Sequence, residues 1–336
     1  MKKNFLFILT LLIVPMTVIA VNSGCTGKEK AEKQQETEVE AAKPKVYFTK
    51  NISSDALMRI YNALGRKAEG KKVAVKISTG EPGGHNFLDP DLIEPLVKEV
   101  KGTIVECNTA YGGKRSKTED HVKAAEAHGF TRIADVDIMD ADGDVALPVG
   151  AGWKHLENDY VGKHFLDYDF TVVLSHFKGH AMGGFGGAIK NISIGIASSE
   201  GKAWIHTAGK TRDVRAMWGQ LPEQDDFLES MAEAAKAVIG HCGENIIYIS
   251  VANNLSVDCD CDAHPHAPQM KDIGILASLD PVALDKACVD FVYSSDDEGK
   301  VHLIERMESR HGIHTLEHAE ELGIGSQEYE LIDIDK

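Results

Sequence analysis

The sequence has no Cys-x-x-Cys pair, so neither a ferredoxin-type iron–sulfur cluster nor a zinc ribbon has its ligand spacing here. Cysteine is scarce altogether, at 6 in 336 residues. If Cys25 is lipidated, Cys107, Cys242, Cys259, Cys261 and Cys288 remain, and an odd number argues against a simple disulfide framework. Positive charge is in deficit too. The formal net charge is −16, and no basic stripe with interleaved aromatics occurs, which argues against nucleic acid as a partner. No internal repeat is present. Apolar residues make up 43% of the chain, enough for the core of one large domain or two.

What is present begins with a leader. Residues 1–24 read as a signal peptide, with Lys2 and Lys3 as a basic start and a mostly apolar run from Phe5 to Val21. Asn22-Ser23-Gly24 ahead of Cys25 is like a bacterial lipoprotein box, although Asn stands where Leu is usual. The alternative is a transmembrane anchor interrupted by Pro15. Either reading predicts an extracytoplasmic protein, and the first predicts a bacterial lipoprotein held to the membrane through lipidated Cys25. Residues 25–45 are charged and lack apolar periodicity, as a disordered tether would.

Globular sequence starts near Val46. Short β-branched runs (Val73–Ile77, Thr103–Cys107, Ile133–Val136, Val145–Val149, Phe170–Leu174, Ile246–Val251, Ile273–Ala277) alternate with amphipathic stretches, among them Ser54–Leu64, Pro90–Val100 and Phe227–Ile239. Leu331–Ile334 reads as a last strand. This alternation predicts an α/β fold, its sheet mostly parallel with helices on both faces, in two closely associated subdomains. The polar stretch 208–226 is the candidate boundary, dividing an α/β core over 46–215 from a second α/β portion over 216–336.

The chain is organised around Ser175–His206. His176, Lys178 and His180 alternate after an apolar strand, so their side chains share a face if the segment stays extended. Gly183, Gly184, Gly186 and Gly187 then form a loop whose backbone can approach a ligand closely, and Lys190 and Asn191 open a helix. A strand ending in basic residues, then glycines, then a helix start is where an open α/β sheet places its ligand. In so acidic a chain these groups mark an anion pocket. Lys114 and Arg115 after Gly112-Gly113, and His85 after Gly83-Gly84, are further candidates for holding an anion or moving a proton.

Cys259, Cys261, His264 and His266 lie within eight residues and are ligand types for zinc, copper, nickel or iron. The segment is equally readable as an acidic loop whose cysteines are buried or paired. Asp140, Asp142 and Asp144 lack the bidentate Glu of an EF-hand and read as a turn before a strand.

The series YGGKR (111–115), HGF (128–130), GKH (162–164), SHFKGH (175–180), GGFGGAIKN (183–191), GK (201–202), DCDC (258–261) and DPVALD (280–285) resembles the domain-of-unknown-function 362 family, over about residues 46–325. Many relatives there carry an inserted ferredoxin segment, which this chain lacks. A more distant likeness links His180, GGFGGAIK ending at Lys190, and His206 to the signature of the nickel-pincer lactate racemase family. That likeness implies a cofactor on Lys190, metal ligation by His206 and acid–base work by His180. It also implies a second catalytic histidine, whose place here falls to Gly113-Lys114-Arg115.

Together these readings predict an exported enzyme acting on a small anionic ligand by proton or hydride transfer. Its cofactor is unidentified, with a transition metal (nickel, iron or zinc) as candidate. The catalytic candidates are His176, Lys178, His180 and Lys114. Gly183, Gly184, Gly186, Gly187, Lys190, Asn191 and Arg115 would bind a cofactor. His206, Cys259, Cys261, His264 and His266 would bind metal. The alternative is a surface lipoprotein that captures a metal or anion without turnover.

Overall fold

The computed structural model describes residues 42–336, which form one compact unit. The expected signal peptide, Cys25 and most of the expected tether lie outside the described residues. Lys45, placed in the tether by the sequence, already belongs to the first strand.

Strands β1 (Lys45–Thr49), β2 (Val73–Lys76), β3 (Gly102–Glu106) and β4 (Val136–Ile138) alternate with helices α1 (Ser54–Ala63), α2 (Pro90–Glu99) and α3 (Thr118–Ala127). A hairpin of β5 (Asp144–Pro148) and β6 (Asn158–Gly162) follows, then β7 (Phe170–His176) and a small hairpin of β8 (Lys178–His180) and β9 (Gly184–Gly186). Helices α4 (Ala188–Ile192), α5 (Ser199–His206) and α6 (Gln224–Cys242) lead to β10 (Ile246–Ala252) and β11 (Gly274–Ser278). Then come α7 (Pro281–Ser294), α8 (Lys300–Ser309), α9 (His314–Glu321) and β12 (Glu330–Asp333).

Eight strands form one sheet in the order β12-β1-β11-β10-β7-β2-β3-β4. Only β11 runs antiparallel to its two neighbours, so the sheet is mostly parallel. The chain winds outward from β2 through β3 to β4, restarts at β7 beside β2, and winds the other way to β10. The order therefore reverses between β2 and β7, the crevice where such sheets bind ligands.

Successive strand residues face opposite sides. Val73, Val75, Val172, Leu174, Ile247 and Ile249 pack with Leu57 and Ile60 of α1 and Ile93 and Leu96 of α2. Ala74, Val173, Tyr248 and Leu276 belong to the other cluster, with Ile189 of α4, Leu228 of α6 and Leu284 of α7. The helix starts carry their signals: Ser53, Asp89, Ser198 and Asp280 each accept a backbone N–H of the first turn. Pro95 inside α2 cannot donate to the Asp91 carbonyl, and the Ser54 hydroxyl supplies that bond from α1 at 3.1 Å.

Two local expectations change. Val145–Val149 does form a strand, but it pairs with β6 outside the main sheet. Ile133 closes a 3-10 turn, so the fourth strand starts only at Val136. Strands from both sides of position 215 interleave in the one sheet, β10 lying beside β7 and β1 beside β11. Within 208–226, Met217 is buried against Ala110 and Ala203. No helix among the described residues is long and apolar enough to cross a membrane.

Candidate active site

Four loops leave the same edge of the sheet, after β2, β3, β7 and β10, and meet over the reversal point. Their meeting is pinned by charge. Lys76 ends β2 and Glu106 ends β3, and their side chains pair at 3.1 Å while almost wholly buried. The Glu106 carboxylate also accepts from the Thr79 N–H at 2.7 Å and from Arg115 at 3.1 Å. Arg115 reaches on to Glu81, and the Glu81 N–H donates to the Asp260 carbonyl at 2.7 Å. Burial opposes ionisation of Glu106, but Lys76, His121 and Arg115 together hold its carboxyl well below the usual range.

Asp260 repeats this on the other side of the crevice. Its two oxygens accept from His176 Nδ1 at 2.9 Å and Lys178 Nζ at 2.5 Å. His176 Nε2 faces the Asn253 carbonyl at 2.6 Å, so both ring nitrogens meet oxygen partners. Burial raises the Asp260 pKa, and Lys178 and His176 outweigh it and hold the carboxyl low.

The glycine segment then turns over the crevice. β8 and β9 pair Lys178 with Gly186 and His180 with Gly184. Gly184 has φ +79° and lies against the Gly312 and Met307 backbone, a conformation and a closeness that suit glycine alone. The chain next enters α4, where the buried Asp285 carboxylate accepts from the Ala188 and Ile189 N–H groups at 2.7 and 2.9 Å. This fixes the turn that carries Lys190. The Lys190 amine faces the crevice with no hydrogen-bond or ion-pair partner among the described residues. Burial, and then the neighbouring Lys178 ammonium, bring it down to about 7.

The two signature histidines are held in opposite tautomers. His180 Nδ1 accepts the Gly183 N–H at 2.8 Å, so the proton of the neutral ring sits on Nε2. His206 Nδ1 donates to the Lys202 carbonyl at 2.7 Å, and its Nε2 lone pair receives the Tyr111 hydroxyl at 3.2 Å. Burial, reinforced at His180 by Lys190, keeps His180 well below the usual imidazole range; burial also brings His206 down to about 4. Both rings are therefore neutral at physiological pH.

The inner cavity has a volume of about 70 Å³, room for roughly five water-sized groups. Lys76, Arg115, Lys178, Lys190 and Lys202 line it against two carboxylates, Glu106 and Asp260. It opens past Thr109, Tyr111, His180, Cys259 and Cys261 into an outer basin of about 430 Å³ that His206 and Trp218 line. The cysteines stand at this threshold, their sulfurs joined as a disulfide. One donor atom each from His180, Cys259 and Cys261 lies within 4.8 Å of the others. Cys107, also on the cavity wall, is a buried thiol whose pKa burial pushes far up.

Residues 73–290 match the family described as a domain of unknown function (DUF362). The chain belongs to that family. No curated protein matches this DUF362 chain. Among solved structures, it is similar to the lactate racemase apoprotein from Thermoanaerobacterium thermosaccharolyticum, at 16% identity and a TM-score of 0.44, over 75% of this chain and 57% of that one. It is also similar to a protein from Thermotoga maritima, at 14% identity and a TM-score of 0.38, over 72% of this chain and 59% of that one. The DUF362 chain thus spans less than two thirds of either structure.

The crevice brings together most of the residues the sequence singles out. His176, Lys178, His180, Gly186, Gly187, Lys190, Asn191, Arg115, Cys259 and Cys261 line the inner cavity, and His206 lines the basin. Others fall elsewhere. Lys114 is exposed and contributes its backbone N–H, not its amine, to Glu81. Gly183 and Gly184 pack against Met231, Met307 and Gly312, away from the cavity. His264 and His266 are exposed, and Asp258 holds His266 outside the crevice by its backbone N–H at 2.9 Å and its ring at 2.5 Å. His85 is exposed. Asp140, Asp142 and Asp144 diverge to different partners, Asn108 and Ser199, His164, and Ser198 and Arg212.

The sequence alone does not single out Lys76, Glu106, Asp260 or Lys202 as site residues. Lys76 and Glu106 do carry a signal: each is the lone charge inside a β-branched run, one residue before its end, and a charge near the end of a fully buried parallel strand needs an opposite charge nearby.

Proposed function

We propose that the chain is an enzyme acting on a small anionic substrate, such as a hydroxy acid, by proton or hydride transfer. The observation that carries this reading is Lys190: one amine without a hydrogen-bond partner among the described residues, in a cavity where Lys76, Arg115 and Lys178 are ion-paired and Lys202 donates to the Ala197 carbonyl. With a pKa of about 7 it exchanges a proton near neutrality, where a general base works best. His180, protonated on Nε2, donates to the substrate anion beside it. Arg115, Lys76 and Lys178, locked in ion pairs, supply a fixed positive field rather than mobile groups.

The inner cavity, about 70 Å³, is too small to hold a nucleotide alone, so a pincer group on Lys190 would have to extend into the outer basin that His206 lines. A transition metal is the other candidate occupant of the threshold: after an external thiol reduces the disulfide it would be held by Cys259, Cys261 and His180 Nε2, in place of the proton that nitrogen otherwise donates. Bound there it would supply Lewis acidity at the cavity mouth. The residues before the described unit support export and lipidation at Cys25, with membrane attachment through that lipid.

Calorimetric titration of the full chain with lactate and with inorganic phosphate, alongside metal analysis, tests the reading. Binding should be lost in Lys190→Met and weakened in His180→Gln. Unchanged affinity in both variants sinks the site, and tight binding with no turnover under any metal favours a capture lipoprotein instead.

A further inference from the structure

A second cluster of donors lies outside the crevice, where three separate segments meet. The first turns of α6 bring Asp225, Asp226 and Glu229, the loop between β5 and β6 brings His155, and the start of α9 brings His314. His155 Nε2 is 2.6 Å from Glu229 Oε2 and 3.9 Å from Asp226 Oδ1, and His314 Nε2 is 3.3 Å from Glu229 Oε1. Donor atoms of His155, Asp226 and Glu229 all lie within 4.8 Å of one another. Bonds of about 2.0–2.1 Å to a tetrahedral ion put neighbouring donors roughly 3.3 Å apart, so His314, which stands outside that trio at 3.3 Å from Glu229 Oε1, must draw in toward His155 and Asp226 as the ion binds.

The surroundings are built rather than incidental. His314 Nδ1 is bound by Glu317 at 3.0 Å, leaving Nε2 turned to Glu229, the carboxylate–histidine arrangement that orients metal ligands. Glu233, one turn further along α6, accepts the N–H groups of Lys154, His155 and Leu156 and so fixes the loop that presents His155. His311 stacks on His314 with 5.1 Å between ring centres. Glu229 and His155 are only 12% and 18% exposed, which limits their wandering while leaving a way in.

We propose that His155, Asp226, Glu229 and His314 form a site for one divalent transition ion such as zinc, independent of the crevice. Two imidazoles and two carboxylates suit zinc, nickel or cobalt and disfavour magnesium or calcium. Lys154 Nζ, 2.7 Å from Glu229 Oε1, occupies the carboxylate in the ion's place and must swing away on binding. The ion would tie α6, α9 and the β5–β6 loop together.

Tag-free protein with the Cys259–Cys261 disulfide intact should bind one equivalent of cobalt(II), giving visible d–d absorption without a thiolate charge-transfer band. Affinity should fall at least tenfold in Glu229→Gln and in His314→Ala and rise several-fold in Lys154→Ala. Should the first two variants misfold, the Lys154→Ala gain and the spectrum of the unaltered chain decide. No bound cobalt, a charge-transfer band, or equal affinity in Glu229→Gln and His314→Ala overturns the proposal.

Discussion

The carboxylate of Asp285 lies where a side chain on Gly187 would have to be: a Cβ there would come within 2.2 Å of its Oδ1. Because that carboxylate holds the two N–H groups ahead of Lys190, the missing side chain and the buried acid form one device for aiming the amine. Gly187→Ala should therefore destabilise the fold by about 2–4 kcal/mol, through lost hydrogen bonds to a buried acid. Chemical denaturation measures this, and a change under about 0.5 kcal/mol would show that the turn tolerates a side chain.

Lys190 predicts a pH signature. Its amine titrates at about 7 in the fold and near about 10.4 in the unfolded chain. Below pH 7 both states are protonated and burial of the charge weighs fully against the fold. Between about pH 7 and 10.4 the unfolded state binds more protons, so stability rises with pH through this window. Lys190→Met should be more stable at pH 6, by on the order of 1 kcal/mol given the solvent reaching the amine, and its advantage should vanish near pH 10. Thermal melts across that range, with an advantage that grows instead, would contradict the buried-amine picture.

Asp260 predicts a loss of a different kind. Asp260→Asn leaves His176 and Lys178 buried without their shared counter-charge. Removing one partner of such a group costs about 3–5 kcal/mol. The same change should abolish phosphate binding in the cavity by displacing both side chains. Equal stability by denaturant titration would mean that the pair of cations relaxes into solvent.

The threshold cysteines predict a redox effect. A chain lacking residues 1–41 should show three titratable thiols when denatured, Cys107, Cys242 and Cys288, and five after reduction. Reduction should also create a soft-metal site with His180, seen as a sulfur-to-cadmium charge-transfer band that Cys259→Ser removes. Five thiols before any reductant is added would show the two sulfurs to be unbonded.

The reach of the sequence can be judged at particular residues. The alternation of strands and helices is a local pattern, so β2, β3, β7 and α2 read correctly in type and place, while within Ser175–His206 the expected glycine loop is partly strand β9 and the helix opens at Ala188, two residues before Lys190. Which strands become neighbours is not local. Lys76 and Glu106 lie thirty residues apart, and only the sheet order sets their side chains against each other. Val145–Val149 has the periodicity of any strand, and nothing in that run says that it joins a separate hairpin. His264 and His266 look like ligands by spacing, yet both are exposed and Asp258 takes up His266.

Asp260 and Asp285 sit late in the chain, while Lys76 and Glu106 sit early. The crevice is closed only when these distant contributions dock on one sheet edge. During synthesis, then, no pocket exists until the chain has been made as far as Asp285. Whatever molecule occupies it must arrive afterwards, as a guest of the finished fold and not as a template for it.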